Sequence, residues 1–219
     1  MIKKKLLVLI FVVFVSISAF SDVGIGAGGN FAASYDTYKY DSVDNGLQRT
    51  LSGGFFILFD AQYLEVNVSM LFSKIKQEYD KGEYSDETMK LTYLTFGLFG
   101  KYPIHLGMIS LSPMLGVQYD LGLSAKSVLL GGEWNMFADS MRNDLFWDAS
   151  KRFDYMNRLW IKFGLGFDIP FGYIFSLNTS FLYGINFGTK DDRVFKENGN
   201  FVDSFHQGFD IRLAIVYSF

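Results

Sequence analysis

Phe209-Asp-Ile-Arg-Leu-Ala-Ile-Val-Tyr-Ser-Phe219 ends the chain with an aromatic or aliphatic side chain at every odd position. Successive side chains of an extended strand point to opposite faces. Phe209, Ile211, Leu213, Ile215, Tyr217 and Phe219 therefore form one apolar face, and Asp210, Arg212, Ala214 and Ser218 lie opposite. An Asp and an Arg turned inward beneath six lipid-ready residues suit a closed barrel in a bilayer, where the sheet itself must pair every backbone polar group.

Working back along the chain, seven more segments alternate in the same way. The first, residues 23 to 35, turns Val23, Ile25, Ala27, Phe31, Ala33 and Tyr35 outward and Gly24, Gly26, Gly28, Asn30 and Ser34 inward. The second, residues 51 to 60, turns out Leu51, Phe55, Ile57 and Phe59, with Phe56 and Leu58 blurring the pattern. In the third, residues 64 to 73, Leu64, Val66, Val68, Met70 and Phe72 oppose Glu65, Asn67, Ser69 and Ser73. The fourth, residues 90 to 102, sets Leu94, Phe96, Leu98 and Tyr102 against Tyr93, Thr95, Gly97 and Lys101.

The fifth, residues 109 to 123, sets Ile109, Leu111, Leu115, Val117, Tyr119 and Leu121 against Ser110, Ser112, Gln118 and Asp120. Pro113 lies within it; a barrel has no free edge to excuse the missing donor, which predicts a bulge or a locally open ladder there. The sixth places Leu159, Ile161, Phe163, Leu165, Phe167 and Ile169 outward and Arg158, Trp160, Lys162, Gly164, Gly166 and Asp168 inward. The seventh, residues 173 to 187, sets Phe175, Leu177, Phe181, Tyr183, Ile185 and Phe187 against Ser176, Asn178, Ser180, Gly184 and Asn186.

The connections alternate long and short: 36–50, 61–63, 74–89, 103–107, 124–154, 170–172 and 188–204. Short periplasmic turns and long outer loops give this rhythm in an up-and-down barrel, with both termini in the periplasm. Pro103 and Pro170 fall in short turns, where they cost no ladder bond. The expected fold is all-β, an eight-stranded antiparallel up-and-down transmembrane β-barrel.

Ahead of the strands, Lys3, Lys4 and Lys5 precede an apolar run from Leu6 to Val15, and Ala19-Phe-Ser21 stands before Asp22. This pattern reads as a secretory signal peptide over 1–21, leaving a single barrel domain over 22–219. The formal net charge of −3 doubles when the three leader lysines are removed, which excludes a nucleic-acid partner. With no cysteine there is neither a disulfide framework nor a lipid-modified anchor, and no later apolar run spans a bilayer as a helix.

Tyr63-Leu-Glu-Val-Asn-Val, Tyr93-Leu-Thr-Phe-Gly-Leu-Phe-Gly-Lys-Tyr-Pro103 and Ser112-Pro-Met-Leu-Gly-Val-Gln-Tyr119 resemble strands of the outer membrane protein β-barrel domain family. Small Gram-negative barrels of the OmpX, OmpW and OmpA-membrane-domain type are its looser relatives, and the closing strand with its terminal Phe219 is similar to theirs. The resemblance implies an outer-membrane location among lipid and lipopolysaccharide. It also implies that Tyr217 and Phe219 act as an assembly signal for the barrel assembly machinery. Its shared residues build strands and say little about activity.

The lumen face collects Glu65, Lys101, Asp120, Arg158, Lys162, Asp168, Asp210 and Arg212. Eight strands enclose a space that side chains can just fill, so these charges are expected to pair as a solvated plug. Pairing about the second outer loop brings Glu65 near Lys101, and pairing about the third brings Asp120 near Arg158. Inward glycines, among them Gly116, Gly164, Gly166 and Gly184, make room for long inward side chains. The other reading of the same charges is an ion-selective or gated pore.

No catalytic, cofactor or metal residues emerge. Ser204-Phe-His206 has the two-residue spacing of lipid A deacylase barrels, but the order is reversed and His206 shares parity with Asp210. His105, in a periplasmic turn, is too distant to serve as its partner, and a nucleophile needs an oriented base within reach. In the third outer loop, residues 138 to 152 space Met141, Leu145 and Ala149 for a short amphipathic helix. Trp134, Phe137, Phe146 and Trp147 there are the candidate contact residues toward the rim, the leaflet or an unidentified extracellular partner.

Three functional readings follow. The first is a non-enzymatic barrel with an envelope structural or surface-contact, adhesion-type role through four outer loops. The second is an OmpW-like channel for small apolar compounds, with Pro113 as its local support. The third keeps the strands but turns them inside out, as a secreted lipocalin-like carrier.

Overall fold

The computed structural model describes residues 23–38, 46–78, 88–129, 132–135, 157–186 and 205–219. The expected signal peptide over 1–21, residues 136–156 with Phe137, Phe146, Trp147 and the expected loop helix, and Ser204 lie outside the described residues. The strands are β1 (Val23–Tyr38), β2 (Gly46–Ala61), β3 (Leu64–Glu78), β4 (Thr88–Lys101), β5 (Ile104–Leu106), β6 (Ile109–Leu129), β7 (Gly132–Asn135), β8 (Arg158–Pro170), β9 (Phe175–Asn186) and β10 (Phe205–Ser218).

Eight of these strands form the wall. Each pairs antiparallel with two neighbours, in the order β1, β2, β3, β4, β6, β8, β9, β10, and β10 pairs back onto β1. Closure removes the sheet edges, so acyl chains meet no unpaired row of backbone donors. The other two strands are short: β5 pairs with the start of β6 and β7 with its end. The segments 124–129 and 132–135, expected as loop, are thus strand, because β6 and β7 continue the ladder beyond the wall.

Register gives the barrel its shape. From Gly26 the pairing runs through Leu58, Asn67, Gly97, Gln118, Trp160, Asn186 and His206 and returns to β1 at Asp36, ten residues further on. A stagger of that size over eight strands tilts them by about 40° and leaves an interior that side chains fill.

The faces fall as the alternation requires. Leu213 and Ile215 are 51% and 55% exposed, whereas Lys162 and Arg212 are 6% and 3% exposed. A carrier with apolar residues around a central cavity needs the reverse, so the lipocalin-like reading is excluded. Val23, at an outward position, is nevertheless buried, and we have no physical account of it. Phe56 and Leu58 do not blur β2; they point inward and pack on Ala214 and Val216.

Pro113 produces no bulge, but the ladder is locally open beside it: the β4–β6 pairs end at Lys101 and Met114, and the β5–β6 pairs resume only at Ile104 and Leu111. The β6–β8 register runs unbroken from Ser110 to Asp120, with Pro113 opposite Leu165. Its carbonyl accepts from Tyr102 N at 3.2 Å, just beyond the last β4–β6 pair at Lys101 and Met114. The nitrogen and carbonyl of an antiparallel residue point to the same neighbour. The missing donor therefore faces the interrupted stretch between the end of β4 and the start of β5, where Pro113 cannot return the bond that Tyr102 N makes to its carbonyl. The irregularity of this strand pair lies elsewhere, between Thr92 and Tyr93.

At the short-turn end, Gly107 and Gly172 take φ of 71° and 84°, conformations that side chains disfavour and tight reversals require. Aromatic rings gather there: Tyr63 with Tyr102 at 6.3 Å, Phe171 stacked on Phe175 at 6.0 Å, and Phe175 with Tyr217 at 5.6 Å. Such a belt marks the interface between lipid and water.

Candidate functional site

Alternate residues of the tilted strands converge on a lumen of three polar tiers. At the short-turn end Lys101 forms an ion pair with Asp60, and Asp168 accepts a hydrogen bond from Asn178 Nδ2 at 2.8 Å. In the middle, Arg212 Nη1 donates to Glu65 Oε1 at 2.8 Å. Asn67 Nδ2 donates to the same oxygen at 3.2 Å, and the Arg212 guanidinium lies 4.6 Å from the centre of the Phe99 ring.

The outer tier is a chain of charge-assisted bonds. Lys162 Nζ donates to Asp210 Oδ2 and Gln118 Oε1, each at 2.8 Å. Gln118 Nε2 and Trp160 Nε1 both donate to the Asp120 carboxylate at 2.7 Å. The Arg158 guanidinium lies 5.6 Å from the Tyr93 ring centre. Buried charges are stabilised by pairing and hydrogen bonds, and each of these carboxylates has at least one donor, while Glu65 Oε2, Asp210 Oδ1 and Arg212 Nε and Nη2 are buried without a hydrogen-bond partner.

The expected partner of Glu65 was Lys101, and the structure supplies Arg212 instead. Glu65 stands opposite Phe99 in the ladder, and Lys101 reaches Asp60. Ladder pairing follows the tilted line around the wall, whereas inward side chains meet whatever lies level with them across a narrow lumen. Asp120 and Arg158 are register partners as expected, yet the Asp120 carboxylate is occupied by Trp160 and Gln118.

Sequence reasoning missed Asp60, Phe99, Met114, Leu182 and Val216. Phe99, Met114 and Leu182 form an apolar knot inside the barrel, with Phe99 at 0% exposure. Parity alone would have placed Phe99 with Tyr93, Thr95 and Gly97; its hydrophobicity argued for lipid. Glycines shape this packing. A Cβ on Gly184 would lie 3.0 Å from Lys162 Cγ and 3.1 Å from Trp160 Cε3, so the wall recedes there to admit both side chains.

Among the described residues a cavity of about 40 Å³ lies toward the outer end, lined by residues that include Ser34, Thr50, Ser73, Tyr93, Arg158 and Lys162. That is room for a few waters. His206 stands opposite Asn186 and Asp36 in the register, and His105 Nδ1 lies 2.8 Å from Ser110 Oγ. Among the described residues no three His, Asp or Glu side chains converge as metal ligands would. Trp134 lies in β7, opposite Ser127. Tyr217 and Phe219 are exposed on the outer face, and Phe219 N donates to Val23 O at 3.0 Å, tying the last residue to the first strand.

No family model and no curated protein matches the chain. Among solved structures it is similar to a major outer membrane protein of Thermus thermophilus, at 16% identity and TM-score 0.46, covering 88% of this chain and 99% of that one. OprG of Pseudomonas aeruginosa is similar at 12% and 0.45, with 90% and 95% covered. The Neisserial surface protein NspA is similar at 12% and 0.37, with 90% and 97% covered. At such distances the likeness concerns architecture and not role. A closed ladder with greasy residues outside and ionised ones sealed within has acyl chains as its fitting solvent, and the protein is a small eight-stranded transmembrane β-barrel.

Proposed function

We propose that the protein is a non-enzymatic envelope component that acts through its outer loops, as a structural or surface-contact protein, and does not conduct. The filled lumen carries this reading. Phe99, Glu65, Thr95, Ser112 and Ser180 are all at or below 1% exposure, and the three polar tiers cross the interior from wall to wall. A cavity of about 40 Å³ holds waters, not an apolar compound. The opening beside Pro113 is confined to the short stretch between β4 and β5 at the short-turn end, and the ladder to β8 runs through it unbroken, which gives little support to a lateral exit.

Planar-bilayer recording of the purified barrel, paired with uptake of a small apolar probe into proteoliposomes, tests the reading. A closed trace and no uptake are expected; steady unitary conductance or probe entry would overturn it. Replacing residues 138–152 by a short Gly-Ser linker should abolish adhesion of cells displaying the protein while the heat-modifiable folded band persists. Unchanged adhesion would remove that loop from the role.

A further inference from the structure

The cavity toward the outer end of the lumen has two unlike sides. Hydroxyls of Thr50, Ser52 and Ser73 line it from β2 and β3, and Asp120, Arg158 and Lys162 line it from β6 and β8. On the charged side the acceptors are engaged. Asp120 Oδ1 accepts from Gln118 Nε2 and Oδ2 from Trp160 Nε1, both at 2.7 Å, and Gln118 Oε1 accepts from Lys162 Nζ at 2.8 Å.

The donors are not exhausted. An ammonium carries three N–H groups, and Lys162 Nζ spends two of them, on Gln118 Oε1 and Asp210 Oδ2. Ser52 and Ser73 lie 2.6 Å apart, Oγ to Oγ, so one of their two hydroxyl hydrogens is left over. Thr50 is 3% exposed, and its hydroxyl is buried without a hydrogen-bond partner. A buried donor left unpaired costs stability, which an incoming acceptor returns. Charge points the same way, since two of the three charged side chains on the lining, Arg158 and Lys162, are cations.

We propose that this cavity binds a small carboxylate of about acetate size, its oxygens accepting from Lys162, Thr50 and the Ser52–Ser73 pair. A volume of about 40 Å³ admits about three water-sized groups, which the two oxygens and the methyl of acetate match. A small ammonium ion would meet engaged acceptors and two like charges. Binding in a cavity of this size needs no passage through the lumen, so it is compatible with a barrel that does not conduct. The site is also independent of the loop-contact role, and loss of adhesion leaves it standing.

The test follows the Trp160 indole N–H by heteronuclear NMR of the full-length barrel folded in micelles, titrated at constant ionic strength with acetate, acetamide, methylammonium and trimethylacetate. Trp160 lines the cavity and holds Asp120, so an occupant shifts its signal. Wild type should show a saturable shift with acetate and at least about ten-fold weaker binding of the other three. Thr50→Val should weaken acetate binding by roughly five-fold, Thr50→Ser should restore it, and Ser69→Ala, off the cavity lining, should leave it unchanged. Lys162→Met combined with Asp210→Leu removes the ammonium without stranding its partner and should abolish binding. A heat-modifiability gel reports that each variant is folded. A linear shift that never saturates, acetamide or methylammonium bound as tightly as acetate, or wild-type affinity in folded Thr50→Val or in the folded double variant would each overturn the proposal.

Discussion

Lys162 on β8 and Asp210 on β10, 48 residues apart in sequence, meet across the lumen with Nζ 2.8 Å from Oδ2 and both side chains buried. The two strands are not ladder partners; β9 lies between them. The Lys162 stem reaches over β9 because Gly184, its ladder partner there, carries no side chain, so the contact reports on the assembled three-stranded stretch of wall.

Removing one member should therefore cost more than removing both. Asp210→Ala strands a buried ammonium and should lower stability by about 3–5 kcal/mol, while a Lys162→Met, Asp210→Leu double variant should fall well short of that loss. Urea unfolding in detergent, followed by loss of the heat-modifiable band, measures the difference. A double variant as unstable as the single one would refute the pairing.

The outer face should penalise charge according to depth. Leu213→Arg, within the apolar band of β10, should cost about 2–4 kcal/mol, and Phe219→Lys at the belt about 0–1 kcal/mol. Folding titrations into lipid vesicles give both values, and equal costs would contradict the placement of the membrane.

Gly184 makes space for the Lys162 stem and the Trp160 ring. Gly184→Leu should destabilise the barrel by about 1–3 kcal/mol through overpacking, and it should disturb the Trp160 fluorescence. An unaltered emission spectrum with unchanged stability would show that the lumen is looser than described.

Pro113 faces the gap between β4 and β5, so Pro113→Val should change stability by no more than about 0.5 kcal/mol. Val117 is paired on both sides, with Leu98 and Ile161, and Val117→Pro should remove a ladder bond and prevent a stable folded band. Equal behaviour of the two variants on a heat-modifiability gel would sink this account of Pro113.

Strand identity was legible because β-strand side chains alternate strictly and the two solvents of a barrel wall differ so sharply. Phe209 to Phe219 disclosed its faces without help, and seven other segments followed. Phe56, Leu58, Phe99 and Val216 were not legible, since parity and hydropathy point in opposite directions for an apolar residue that faces the lumen. Asp60 was missed because it ends a strand and carries no pattern of its own.

Local alternation settled which face of each strand meets lipid and that eight strands form the wall, because both depend on neighbours one or two positions away. Which charge meets which was left to the closed barrel. Arg212 rather than Lys101 reaches Glu65 because a ten-residue stagger tilts the strands, and tilt brings distant segments level across an interior only side chains wide. The same global register sets Lys126 beside Lys90 through one irregularity in the ladder, a step that alternation within a single strand does not contain.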